Sequence, residues 1–203
     1  AEDTKDFILR RTKDLVLKDL PKFSRRFQHV ELDGKVKRVY TDLIKELDDL
    51  LYDDSIGNME RGSATIAIMS KMRHITGLSK VESCSDAVIE FLESNNRKLT
   101  IGTHHQDVAE MLKVSLKQAG IEALHLHSGL SAERRADLAA EFKDNPSART
   151  LIASTQAAGE GLNLQFCADA ILMERQWNPA NEEQFEARFH RFGQVNPVTV
   201  NYM

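Results

Sequence analysis

The sequence predicts an α/β domain, helices covering a mostly parallel sheet, preceded by a helical segment. Three observations point there. From about Lys80 onward, short apolar runs alternate with amphipathic stretches, the rhythm of strand, helix and strand. Before Lys80 the apolar residues recur at helical spacing instead. Across all 203 residues, 41% hydrophobic and 29% charged side chains supply a core and a solvated surface, which excludes a disordered chain.

In chain order, Phe7, Leu9, Val16, Leu17 and Leu20 suggest a helix over Asp6–Leu20 that Pro21 stops. Gln28, Val30 and Leu32 form a short candidate strand before the turn at Asp33 and Gly34. From Lys35 to Tyr52, Val36, Val39, Tyr40, Leu43, Ile44, Leu47 and Leu51 trace an amphipathic helix. Another helix is expected over Ala64–Ile75, ending near Gly77. Strands are then expected at Lys98–Thr103, Ala123–His127, Thr150–Ala153, Ala170–Met173 and Val198–Tyr202. The helices between them are expected at Ser85–Glu93, Gln106–Gln118, Ala132–Lys143 and Pro179–Arg191. In the second of these, Asp107 suits the positive N-terminus, Val108, Met111, Leu112 and Leu116 form the apolar stripe, and Gly120 ends the run. The expected division is a helical segment, 1–79, and an α/β lobe, 80–203. Ligands of such sheets sit at the carboxyl ends of the strands, which directs attention to the loops after Thr103, His127, Ala153 and Met173.

No apolar run approaches the roughly 18 residues a membrane helix needs, and the first residues are charged rather than signal-like, so an intracellular protein without a membrane partner is expected. Cys84 and Cys167 are far apart with no CxxC spacing, which suggests buried, reduced thiols. The net charge of −4 argues against holding nucleic acid by bulk electrostatics. It is unevenly spread: residues 1–80 carry 16 Lys and Arg against 14 Asp and Glu, and residues 81–203 carry 11 against 17.

Two tracts carry chemistry. After the third lobe strand, Ser154 and Thr155 offer hydroxyls, and Gly159 and Gly161 allow close backbone approach to a ligand. A tight turn that needs glycine is an equally available reading. In the last helix, Asn178 can cap and Pro179 suits the first turn. Gln184, Arg188 and Arg191 then recur at i, i+4 and i+7, with Phe185, Phe189 and Phe192 one residue later. Two guanidiniums on one helix face, backed by aromatics, suit phosphate; a solvated basic face is the alternative. His125 and His127 share a strand face but lack a third ligand at metal-binding spacing. His190 lies between the two arginines, where it can orient them or face solvent.

The tracts TQAAGEGLNL (Thr155–Leu164), WNP (Trp177–Pro179) and QFEARFHRFGQ (Gln184–Gln194), in this order and spacing, resemble the late motifs of the Swi/Snf-type ATPases, a branch of the superfamily-two helicases. Phe7–Pro21 resembles the segment leading into that family's second lobe, and His127–Phe142 its intermediate motif, with Gly129, Arg135 and Phe142 in register. The resemblance implies a RecA-like three-layer second lobe, with residues 1–79 as lead-in and protrusion-like subdomain. It implies an ATP-dependent translocase on double-stranded DNA, partnered by an N-terminal RecA-like lobe of the same protein. By position, Arg188 and Arg191 match arginine fingers that reach ATP across the cleft, and Gln184 matches the glutamine opening that motif. The tract holding Gly159, Gly161 and Asn163 falls where the lobe meets the nucleotide. Thr103, His104, Thr155 and Trp177 match DNA contacts, although Trp177 also suits a core position under the Asn178-Pro179 turn.

Neither a GxxxxGK[ST] tract nor a DExH tract occurs, Gly34-Lys35 being the one Gly-Lys pair, so ATP and Mg²⁺ are expected to be held mainly by the first lobe and this chain alone to be inactive. The start at Ala1 and stop at Met203 fit an excised lobe. Two positions depart from the family pattern: Gly102 stands where a bulky strand residue is usual, and Phe185 where a small one is usual. The rival readings are a degenerate lobe retained as a DNA or protein scaffold and a free-standing nucleotide-binding protein.

Overall fold

The computed structural model describes residues 20–53, 55–155 and 162–203. The helix expected over Asp6–Leu20 lies almost wholly outside them, and Gly159 and Gly161 lie outside them too. Six strands form one sheet: β1 (Phe23–Phe27), β2 (Leu99–Thr103), β3 (Ala123–Leu126), β4 (Thr150–Ser154), β5 (Asp169–Leu172) and β6 (Val198–Tyr202). Every neighbouring pair is parallel and the order is β1-β6-β5-β2-β4-β3. Parallel pairing requires crossovers, supplied by α3 (Val81–Ser94), α4 (Gln106–Gln118), α5 (Ala132–Asp144) and α6 (Pro179–Glu186). A helical hairpin, α1 (Gly34–Tyr52) and α2 (Asn58–Ser79), precedes them.

Strand alternation builds two cores, one on each face of the sheet. On one face Leu151, Ala153, Ala170, Leu172 and Val200 pack with Leu138 and Phe142 of α5 and Phe185 of α6. On the other, Leu99, Ile101, Ile152 and Ile171 pack with Val88 of α3 and with Val108, Leu112 and Leu116 of α4. This is the expected three-layer α/β architecture. Both cysteines are buried and free; burial pushes the Cys84 thiol up to about 12 and Cys167 up to about 11, so both are inert at neutral pH.

The structure moves several elements. The early strand is Phe23–Phe27, not Gln28–Leu32, and it joins the lobe's sheet by pairing with β6, so the expected helical lead-in contributes an edge strand. Helix α2 begins at Asn58 and runs through Gly77 to Ser79, and α3 follows at Val81. In α1 only Leu43 is buried, and Val39, Ile44 and Leu51 of the expected apolar stripe are exposed, as is Met111 in α4. Among the described residues no helix is long and apolar enough to cross a membrane.

Candidate functional site

Helix α6 starts as its sequence dictates: Asn178 Oδ1 accepts the Ala180 N–H at 3.0 Å and Pro179 fills the first turn. It ends at Glu186, earlier than expected. Arg188 N–H bonds to Phe185 C=O and Phe189 N–H to Glu186 C=O, three residues back, so the chain continues in tight turns. Arg188 and Arg191 therefore sit on this turn rather than on a helix face. Phe185 and Phe189 are buried, their rings 5.1 Å apart, whereas Phe192 is 81% exposed and leaves the aromatic face.

The turn is fastened to the segment after β4. Leu164 N–H bonds to Arg188 C=O, and Arg191 Nη1 donates to Asn163 Oδ1 at 2.6 Å. Gln194, buried, donates to the Cys167 and Phe189 carbonyls, and Gly193 adopts φ +93°, which lets the chain reverse there. Arg188, Arg191 and Asn163 are thus brought together, while Gln184 lies exposed on α6. Helix α6 itself is held by two buried glutamates that the sequence reading did not single out. Glu186 accepts both Arg25 Nε (2.5 Å) and Nη2 (2.6 Å) and the Tyr202 hydroxyl; Glu182 accepts Arg175 Nε and Nη2. Their one-turn spacing, Glu182 and Glu186, was the available signal. His190 is half-buried: its Nε2 lies 2.8 Å from the Pro21 carbonyl and its ring packs on Phe23.

Among the expected DNA contacts, His104 is exposed and Trp177 is 48% exposed, with the Arg73 guanidinium 5.2 Å from its ring centroid. Trp177 is not a core tryptophan. Thr103 and Thr155 are buried at the ends of adjacent strands β2 and β4, so their hydroxyls are not displayed to a ligand on this surface. Partial desolvation and the nearby Arg73 hold the His104 imidazole below its ordinary pKa. His125 Nδ1 lies 3.1 Å from Glu110, with its ring against His127.

Residues 79–193 match the family model described as "Helicase conserved C-terminal domain". The chain belongs to that family. It is 27% identical over 205 residues to a Caenorhabditis elegans "SWI/SNF-related matrix-associated actin-dependent regulator of chromatin subfamily A-like protein 1 homolog", covering 98% of this chain and 28% of that protein. It is 24% identical over 198 residues to human "DNA annealing helicase and endonuclease ZRANB3", covering 98% of this chain and 18% of that protein. It is 31% identical over 209 residues to "Uncharacterized ATP-dependent helicase MG018" of Mycoplasma genitalium, covering 97% of this chain and 20% of that protein. The chain therefore spans less than a third of the length of these relatives. Its fold matches the "Sulfolobus solfataricus SWI2/SNF2 ATPase core in complex with dsDNA" with a TM-score of 0.75 at 24% identity, covering 98% of this chain and 44% of that one.

In this helicase lobe the two departures from the family pattern explain each other. A Cβ built on Gly102 would lie 2.9 Å from Phe185 Cζ and 3.0 Å from Leu172 Cδ1. The ring of Phe185, entering from α6, occupies the space a bulky β2 side chain would take. The ring fills the space beside Gly102, and the carboxyl end of β2 stays packed.

Proposed function

We propose that the chain is the C-terminal motor lobe of an ATP-dependent translocase on double-stranded DNA, completed by an N-terminal RecA-like lobe that holds ATP and Mg²⁺. The observation that carries this reading is the turn that gathers Arg188, Arg191 and Asn163 at the end of α6. A guanidinium already oriented by a neighbouring amide, as Arg191 is by Asn163, needs little reorganisation to meet a phosphate, and the amide suits a phosphate or ribose oxygen. In phosphoryl transfer such arginines neutralise charge that develops on the transferring group. Gln184, Gly159 and Gly161 complete the nucleotide side in this reading, and Thr103, His104, Thr155 and Trp177 the duplex side. With Thr103 and Thr155 buried, His104 and Trp177 are the side chains that reach DNA, and the threonines support the strand ends beneath them. The grip on DNA is phosphate contact and so independent of sequence. An intracellular location, nuclear in a eukaryote, follows from a DNA substrate.

The test is to join this chain to an N-terminal Swi/Snf-type lobe and measure ATP turnover with and without duplex DNA. Duplex-stimulated turnover that neither lobe shows alone is expected. A joined protein that binds duplex but never hydrolyses ATP would instead favour the scaffold reading.

A further inference from the structure

The loops after β2 and β5 and the helix α2 meet at one buried carboxylate. Glu174, the second residue beyond β5, has a fully buried side chain. Its Oε2 accepts the backbone N–H groups of His104 (2.7 Å) and His105 (3.0 Å), and its Oε1 lies 2.5 Å from His105 Nδ1. Its own carbonyl accepts Gln176 Nε2 at 3.2 Å, one residue before Trp177. Helix α2 closes over it at Gly77, where a Cβ would sit 2.8 Å from Glu174 Oε1; this contact is the reason the helix carries a glycine three residues before its C-cap. One turn before Gly77, Arg73 stacks on Trp177 and His74 packs its ring on His105 while bonding to Asp107 at 2.5 Å. Lys80, just beyond α2, donates to the Met173 and Met203 carbonyls.

A fully buried carboxylate persists only where donors replace its water. Here the donors belong to the loop that displays His104, and the carboxylate belongs to the loop that displays Trp177. We propose that Glu174 is a positioning residue: it holds the His104 loop and the Trp177 loop in one register, with α2 as the lid that keeps water off the carboxylate. The proposal rests on the duplex-binding reading, because those loops are the ones assigned to DNA. Loss of Glu174 would let the two loops move independently, so that both no longer meet the same duplex at once, and α2 would lose the contact that Gly77 makes.

The test uses the 203-residue chain, a short duplex oligonucleotide, hydrogen exchange at individual amides, and the emission of Trp177, the only tryptophan present. In Glu174→Ala, exchange at the His104 and His105 amides should accelerate by roughly ten- to a hundredfold, the factor that charge-assisted hydrogen bonds represent. Trp177 emission should shift and duplex affinity should fall by roughly tenfold or more. Glu174→Gln should restore most of both, since its carbonyl can take the two backbone N–H groups. Its amide would then donate to His105 Nδ1, moving the ring proton to Nε2, a tautomer change visible by nitrogen NMR and not expected from a merely space-filling role. Gly77→Ala, which presses on the carboxylate, should act in the direction of Glu174→Ala and serves if that variant does not fold. Unchanged exchange at both amides in Glu174→Ala and Gly77→Ala overturns the anchor; accelerated exchange with wild-type duplex affinity overturns its role in DNA contact. If the wild-type chain joined to its first lobe fails to bind duplex, the functional reading fails, and exchange and tautomer still decide the anchor by themselves.

Discussion

Gly102→Ala is expected to destabilise the lobe in the wild-type background and to stabilise it once Phe185 is alanine. The new Cβ meets Phe185 Cζ at 2.9 Å and Cε2 at 3.1 Å, the far end of a fully buried ring that Phe189 and Leu172 prevent from swinging away. Overpacking of this kind costs about 1–3 kcal/mol. Phe185→Ala alone removes a buried aromatic and costs about 3–5 kcal/mol. In that background the clash is gone, the methyl fills part of the cavity, and alanine replaces a strand glycine, a gain of about 0.5–1 kcal/mol. The coupling between the two positions should therefore be about 2 kcal/mol or more, far beyond the few tenths that separate independent sites. Urea unfolding of the four proteins, with m-values compared to confirm a common transition, measures it. Additivity within about 0.5 kcal/mol would refute the claim that the ring of α6 replaces a β2 side chain.

Further expectations concern the frame around the site. Arg25→Ala leaves the buried Glu186 carboxylate with the Tyr202 hydroxyl alone; because Arg25 is half-exposed, a cost of about 2 kcal/mol in unfolding free energy is expected, short of that for a fully buried pair. Asn178→Ala removes the α6 cap and should cost about 1 kcal/mol, read as a lower Tm. Burial raises the Asp169 carboxyl above its ordinary pKa, with Arg97 only partly offsetting it. The folded state then binds the proton more tightly than the unfolded one, so this group's contribution to stability falls as pH rises from the ordinary aspartate range through the raised value. Asp169→Asn should remove that fall and be neutral or stabilising at pH 7, as shown by unfolding curves from pH 4 to about pH 7.

The lobe was legible where hydrophobic period and punctuation agree. Helix α4 occupies the residues its apolar stripe and Gly120 mark, and each lobe strand lies within a residue of its expected bounds at either end. Strand β1 was not legible, because Phe23-Ser24-Arg25-Arg26-Phe27 lies at the sheet edge and its Arg25 is recruited by a glutamate 161 residues away. The end of α6 was misplaced because the spacing of Phe185, Phe189 and Phe192 suits successive tight turns as well as a helix. Gly77 reads locally as a helix stop, whereas its reason is the Glu174 carboxylate, a contact that no local pattern encodes. Glu174 did leave a trace: a charged residue directly follows the buried run Ala170–Met173, at the edge where ligands of parallel sheets gather. Arg188 and Arg191 were found through their spacing as well as motif resemblance and Asn163 through resemblance, while the contact of Arg191 with Asn163 required the fold.

The central claim is that Arg188 and Arg191 act on ATP held by another lobe. The direct measurement is kcat for duplex-stimulated ATP hydrolysis by the joined two-lobe protein, comparing wild type with Arg188→Ala and Arg191→Ala, with duplex affinity measured in parallel. Arginine fingers predict a loss of about 10³–10⁵ in kcat with duplex affinity largely kept. Near wild-type turnover by both variants would contradict the account.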